Sequence, residues 1–197
     1  MKLTRKTKRL VIRPLAQSDY KAWLHANTTL LPPQNEWDRH ALDKSDLTKS
    51  KFTQMIKGMK RMRADESFID LGVFETKTGE LIGFVAVMNI VRSVSQSAYI
   101  GYRLLNRHWG KGYGKEALRA LIDISFRDLK LHRIEAGIEP RNRRSIFLAR
   151  SAGLRKEGLK KNVIFLRGKW RDLLTYVATT EDFGIKWTGT VEARRRR

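Results

Sequence analysis

Residues 107–118, RHWGKGYGKEAL, set three glycines at alternate positions, Gly110, Gly112 and Gly114, among basic side chains and just ahead of a strongly helical run. Glycine lacks the Cβ that would hold a ligand away from the backbone. A helix that starts at such a turn leaves unpaired amide donors at the positive end of its dipole. The chemistry is that of a phosphate cradle. Arg107, His108, Lys111 and Lys115 add charge around it, which suits two adjacent phosphates better than one carboxylate.

Three diphosphate patterns compete for this turn. A P-loop needs four residues between its glycines followed by Gly-Lys-Ser or Gly-Lys-Thr, and the sequence has no such run. Gly112, Gly114 and Ala117 fit the dinucleotide fingerprint G-x-G-x-x-A, with Glu139 near the end of the next strand as the ribose-binding acid. Against that reading, residues 106–109 separate the preceding strand from the first glycine, and little chain remains after Glu139 for further parallel strands and a substrate domain. The third pattern, R/Q-x-x-G-x-G/A, is met by Arg107, Gly110 and Gly112.

The elements that must position this turn follow from periodicity. RLVIRPL (9–15) reads as a strand ended by Pro14, after which Ser18 and Asp19 cap a helix to about Leu30. LLPPQNEWD (30–38) excludes helix, because each proline lacks a donor and restricts its predecessor. A second helix spans about 47–64, where Phe52, Met55, Ile56, Met59 and Met62 recur at three- and four-residue steps as a core stripe. FIDLGVFE (68–75), ELIGFVAVMNIV (80–91) and SAYIGYRLL (97–105) give three strands, the first two joined as a hairpin. After the glycine turn, Leu118, Leu121, Ile122, Phe126 and Leu129 line one face of a helix. HRIEAGI (132–138) is a strand, RRSIFLARSA (143–152) a short helix ending near Gly153, and 163–179 two strands around a turn at 167–169. The order β-α-α-β-β-β-α-β-α-β-β predicts an α/β (α+β) fold, a mixed sheet with helices on both faces. No Pro-, Gly- or Ser-rich linker interrupts it, so 1–187 reads as one domain and 188–197, closing in four arginines, as a basic mobile tail.

Composition bounds the function. The chain has 41 Lys and Arg against 20 Asp and Glu, a net charge of +21, more than solubility needs and enough to steer acidic partners. Part of that charge is ordinary solvated helix face. The absence of cysteine excludes disulfides, a thiol nucleophile and thiolate metal sites, and no metal is expected. The longest apolar stretch is interrupted by Asn89, too short for a span of about 20 residues. The amino end has no signal-peptide apolar region. A soluble cytoplasmic protein with no membrane partner is the expectation.

The third glycine pattern, set in this element order, is similar to the coenzyme A pyrophosphate loop of the GNAT N-acetyltransferase superfamily. PRNRRSIFLARSAGLRKEG (140–158) looks like that superfamily's following segment. GKWRDLLTYVATTEDF (168–183) and the Tyr-x-x-x-x-x-x-Trp-Gly-x-Gly run from Tyr102 are similar to the ribosomal-protein-alanine acetyltransferases of the RimJ and RimL type. The resemblance covers about 9–183.

It implies the GNAT acyl-CoA N-acyltransferase fold with acetyl-CoA as cosubstrate. In that fold the strand at 98–103 splays from its neighbour, and main chain at Ile100, Gly101 and Tyr102 pairs with the pantetheine arm like an added strand. The pyrophosphate falls to Arg107, His108, Trp109, Gly110, Lys111, Gly112, Tyr113, Gly114 and Lys115, mostly through amides, with Trp109 and Tyr113 packing beside the loop. Asn142 meets the cofactor arm. Ser145 is placed to protonate the departing thiolate, or else satisfies local backbone at a helix start. The implied reaction is direct attack by an amine, through a tetrahedral oxyanion and without an acyl-enzyme. No base carries over from the family, which leaves Glu139 and Glu36, each with a structural alternative. The acceptor is expected between the first helix pair and the final hairpin, where Glu36 and Trp37 would hold it.

Neutralising a lysine of pKa about 10.4 at pH 7 costs roughly 4 to 5 kcal/mol, against about 1 for an α-amine. A site without an obvious strong base therefore suits a protein N-terminus. By the resemblance that terminus belongs to a ribosomal protein, with ribosomal RNA as an electrostatic contact. Two alternatives stay open: acetylation of a small amine, disfavoured for polycations by the charge, and a ribosome- or RNA-binding module without turnover, for which no nucleic-acid motif is present.

Overall fold

Residues 3–38 and 40–191 are described by the structure, a computed structural model. The elements are β1 (Arg5–Lys6), β2 (Leu10–Arg13), α1 (Tyr20–Thr28), α2 (Lys49–Ala64), β3 (Phe68–Glu75), β4 (Leu81–Val91), β5 (Ser97–Leu104), α3 (Tyr113–Asp123), β6 (Arg133–Ile138), α4 (Arg143–Ala152), β7 (Arg155–Leu166) and β8 (Lys169–Thr179). They form one eight-stranded sheet in the order β1-β2-β3-β4-β5-β6-β8-β7. This is the mixed α/β fold expected, with a two-residue strand added at the edge.

Strand alternation sends side chains to two faces. Ile69, Leu71 and Val73 of β3 point to one, where Leu118, Leu121 and Ile122 of α3 and Ala149 of α4 complete the larger core. Phe74 and Phe84 point to the other, against Trp23 of α1 and Phe52 of α2. Each Leu, Ile or Phe so buried contributes about 1.5 to 3 kcal/mol, which is what docks the helices. Local signals set their ends. Thr48 caps α2 by accepting from the Lys51 amide at 3.3 Å. Gly153, at φ 109°, stops α4 while Leu154 N–H returns to the Ala149 carbonyl at 3.0 Å.

Three local expectations change. Asp19 does not cap α1: its carboxylate accepts from the Ala16 amide at 2.7 Å and from Arg13 at 2.6 Å, fixing a 3₁₀ turn at Gln17–Asp19, and the helix ends at Thr28. β7 starts at Arg155, eight residues before the expected 163. It is an edge strand exposed along most of its length, so burial imposes no alternation on it. Of the expected tail, residues 192–197 lie outside the described residues, while the Thr190 carbonyl accepts from Gln96 Nε2 at 3.2 Å.

β5 and β6 form a parallel pair, and the ladder between them is short. Ser97, Ala98 and Tyr99 pair with Arg133, Ile134 and Glu135, and there it stops. β5 continues to Leu104 against β4, and β6 to Ile138 against β8. The two strands part, and the loops into α3 and α4 flank the opening.

Candidate functional site

Along the opening, β5 from Ile100 to Leu104 keeps its β4 partner on one side and, among the described residues, has no strand on the other. Unpaired main chain beside water is an edge to which an extended, amide-bearing ligand can add. Ile100 is buried among the larger core, so its backbone is rigidly held.

At the mouth, α3 begins at Tyr113 with Gly112 as its cap, and among the described residues no side chain caps the first-turn amides. Gly110 and Gly112 both sit at φ 77°, in the left-handed region that glycine adopts without strain. A Cβ on Gly110 would meet nothing within 4 Å, so the cradle is open there. Gly114 has a different task, since a Cβ on it would come within 3.1 Å of Leu148 Cδ2 where α3 crosses α4. The residues present fit a pyrophosphate: small, donor-rich and unencumbered.

A second layer holds the turn and was not foreseen from sequence. Arg9 donates to the Lys111 carbonyl at 2.8 Å and to Glu116 Oε2 at 2.7 Å, and its guanidinium lies 4.5 Å from the Tyr113 ring centroid. Glu116 also accepts from Thr7 Oγ1 at 2.6 Å. Burial alone would raise the Glu116 pKa, but the hydrogen bonds from Thr7 and Arg9 outweigh it and hold it below the usual carboxylate value. Thr7 and Arg9 lie more than 100 residues before Glu116, and no local periodicity announces a contact over that separation.

The other expected cofactor side chains divide. Arg107 turns away to Glu80 and Thr29, and donates from Nε to His108 Nε2 at 2.9 Å. His108 is buried, which with nearby Arg107 and Lys111 outweighs Glu80 and lowers its pKa. Trp109 donates to the Leu104 carbonyl at 2.9 Å and carries Arg144 over its ring at 4.6 Å. Tyr113 is buried in the core with its hydroxyl on Glu75. Lys111 and Lys115 carry no ion pair among the described residues.

On the far side of the opening, Asn142 caps α4, its Oδ1 accepting from the Ser145 amide at 3.1 Å. Tyr102 reaches across from β5. Its hydroxyl lies 2.9 Å from Ser145 Oγ and 3.1 Å from the Ser145 carbonyl. Burial, the largest influence, pushes the Tyr102 phenol up to about 12, against the lowering effect of the Ser145 hydrogen bond, so it keeps its proton at neutral pH.

The proline loop spans the mouth. Asn106, at the end of β5, donates to the Leu31 and Pro32 carbonyls at 3.0 and 3.1 Å and to Asp38 at 2.9 Å. At the other end Trp37 Nε1 donates to Glu139 Oε1 at 2.8 Å, just past β6. Arg167, in the β7–β8 turn, also pairs with Glu139, while its Nε lies 3.4 Å from Glu36. Arg171 stands 3.8 Å from the second Glu139 oxygen. Glu36, Trp37 and Glu139 are thus brought together, with both Glu139 oxygens engaged by neighbours. A cavity of about 230 Å³ opens beside them, lined by Gln34, Asn35, Trp37 and the start of α4.

The family model for an acetyltransferase (GNAT) domain matches residues 9–155. The chain belongs to the GNAT acetyltransferase family. The [Ribosomal protein uS5]-alanine N-acetyltransferase of Escherichia coli (strain K12) is 32% identical over 182 residues, 90% of this chain and 91% of the relative. The Bacillus subtilis (strain 168) protein named "Probable N-acetyltransferase YjcK" is 42% identical over 112 residues, 57% of this chain and 61% of that relative. Among solved structures, Mycobacterium smegmatis RimJ in complex with CoA-disulfide is 26% identical with a TM-score of 0.73, covering 88% of this chain and 83% of the other. The acetyltransferase is therefore of the RimJ/RimL type by relatives and by fold. Among the described residues no helix is long and apolar enough to cross a membrane, and no group of three or more His, Asp or Glu is arranged to hold a metal.

Proposed function

We propose that this acetyltransferase moves acetyl from acetyl-CoA directly to the α-amine of a protein N-terminus, a ribosomal protein in the cytoplasm being the favoured acceptor. The observation that carries the reading is the parting of β5 from β6 after Tyr99, with the uncapped amides of α3 at its mouth. An arm rich in amides would extend the β5 edge at Ile100, Gly101 and Tyr102. Its diphosphate would sit on amides around Gly110 and Gly112, with Lys111 and Lys115 adding charge.

Proton bookkeeping gives Tyr102 and Ser145 linked roles. The phenol has one proton, and the Ser145 carbonyl can only accept. When the phenol donates to that carbonyl, the serine hydroxyl must donate back to the phenol. When it donates to Ser145 Oγ, the serine proton is released to face the departing thiolate. Asn142 fixes the serine backbone meanwhile. On the acceptor side, Glu139, Glu36 and Trp37 offer the anionic and aromatic surface for an incoming amine, once Arg167 yields its place. The relative named as a ribosomal protein uS5-alanine N-acetyltransferase supports this reading, since an alanine within a protein carries a free amine only at the N-terminus.

The test is thiol release from acetyl-CoA with peptides bearing free Ala or Ser termini. Release is expected with these and not with the same peptides blocked at the terminus but carrying a free lysine. Turnover of the blocked peptides at a comparable rate sinks the α-amine assignment.

A further inference from the structure

The sheet face turned toward α1 and α2 is covered unevenly. The helices bury Phe74 of β3 and Phe84 of β4, whereas on β5 Arg103, which lies over the Phe84 ring, and Tyr99 are exposed. This open strip runs beside the parting of β5 and β6. Two residues on from their last pair, Tyr99 with Glu135, each strand carries a glycine, Gly101 and Gly137. Alternation turns both to the open face, since the adjacent Ile100 and Ile138 lie in the larger core. The tips of Met88 and Leu173 edge the gap: a Cβ on Gly101 would fall 2.9 Å from Met88 Cε, and one on Gly137 2.8 Å from Leu173 Cδ1. The parting strands thus leave a window, through which the proposed thioester arm between them can be reached from this face.

Asp70 of β3 stands on the same row. It pairs with Ala86 of β4, and Ala86 with Gly101, so its Cα is two strand steps, about 10 Å, from that glycine, with one methyl side chain between them. The other carboxylates along this strip are engaged, Glu135 by Arg133 and Lys160 at 3.0 and 3.3 Å, Glu139 by Trp37 and Arg167. Asp70 has no ion pair and no side-chain hydrogen bond among the described residues. It is not sealed either, for 9% of its surface remains exposed. Around it β4 presents Phe84, Ala86 and Met88, β5 presents Tyr99 and Arg103, and β2 presents Arg13, which Asp19 holds. Arg103 is the charge that acts on it, and no cation of α1 or α2 does so. A buried acid without a partner costs stability, and such groups cluster at sites of reaction.

We infer that Asp70 takes the proton lost by the attacking amine, through a bridging water, at the window framed by Gly101 and Gly137. It supplies a base where the sequence-based candidates, Glu139 and Glu36, are both tied to Arg167. The inference rests on the proposed acetyl transfer at this opening, whatever amine is the acceptor. The neutral amine forms the C–N bond, its nitrogen becomes cationic, and one N–H proton passes through the water to the Asp70 carboxylate. The C–S bond then breaks with its electron pair on sulfur, and the thiolate is protonated. Asp70 returns its proton to solvent, so no proton is gained or lost overall.

The test is kcat over a pH series, at saturating acetyl-CoA and free-amine peptide, in the wild-type chain, D70N and D70E. At alkaline pH D70N should lower kcat roughly 100-fold, with acetyl-CoA affinity by calorimetry unchanged and a melting temperature no lower than wild type. The ratio of wild-type to D70N kcat should shrink toward one as pH falls through about 6, where burial places the Asp70 pKa, because a protonated base no longer accepts. Titration of the amine itself cancels in that ratio. D70E keeps a carboxyl and should recover part of the loss. Equal kcat in D70N and wild type, or a ratio that pH does not change, overturns the inference. A second readout needs no acceptor. The carboxyl NMR resonance of labelled aspartate that D70N lacks should titrate in the folded chain, and its midpoint should rise when acetyl-CoA displaces water beside it. A midpoint that acetyl-CoA leaves in place also overturns the inference. If the Ala and Ser peptides do not react with the wild-type chain, the proposed acceptor fails, and this titration decides the part of Asp70 alone.

Discussion

The two faces of the sheet solve different problems with different materials. On the α3/α4 face, a continuous apolar core holds β5 and α3, and the groups proposed to meet the cofactor at the opening are mostly backbone amides. On the α1/α2 face the apolar cluster is smaller, and polar groups take structural positions. Asp70 of β3 is buried there with Arg103 as its nearby charge, and the proline loop is tied across the mouth by Asn106, Trp37, Glu139 and Arg167. Backbone geometry is insensitive to salt and to most side-chain changes. Ion pairs are exchangeable, which suits the acceptor surface proposed above.

That contrast can be broken most sharply at Gly112. Gly112→Val puts a β-branched residue at φ 77°, with its Cβ 3.4 Å from Arg9 Nη2. Acetyl-CoA affinity, by calorimetry, should fall roughly 100-fold, about 3 kcal/mol, with native circular dichroism. Lys111→Ala/Lys115→Ala should lose only a few-fold. If the lysine pair proves the more damaging, the cradle is made by side chains and the contrast fails.

A second probe addresses the other face. Burial raises the Asp70 pKa to about 6 against an ordinary 3.8, with Arg103 opposing. Between those values the folded chain binds more protons than the unfolded one, so stability falls as pH rises through about 4 to 6. Above that window the ionised carboxyl costs on the order of 2 to 3 kcal/mol. Asp70→Asn should therefore be more stable than wild type by that amount in urea unfolding at pH 8, and equal to it near pH 4. Destabilisation at pH 8 would mean that Arg103 holds an ionised Asp70 after all.

The smallest effect is expected at the mouth. Arg167 is 37% exposed in its side chain, so its pairs with Glu139 and Glu36 are screened and worth about 1 kcal/mol or less. Arg167→Ala should leave melting nearly unchanged and shift the peptide KM a few-fold, with kcat and acetyl-CoA affinity preserved. An equal loss in kcat would assign Arg167 to the reaction itself.

Legibility followed burial. The alternation of Ala98, Ile100 and Tyr102, and the stripe of Leu118, Leu121 and Ile122, announced β5 and α3 because one side of each is dry. β7 stayed hidden over 155–162, where a wet edge strand accepts Lys, Glu and Gly alike. Asp70 was passed over because an aspartate within an apolar strand reads as a local interruption, and only the packed sheet shows it beneath a helix. The Tyr102–Ser145 contact joins residues 43 apart, and no local pattern encodes it.

The sequence by itself determined the order of elements, the glycine turn with its charge, and the family likeness. These depend on residue type and spacing along one stretch of chain, where sterics and periodicity act. Only the tertiary structure decided where β5 leaves β6, which carboxylates are held by which arginines, and that Arg107 faces Glu80. Those outcomes depend on distances between segments far apart in the chain, fixed when the core closes and each buried polar group must find a partner.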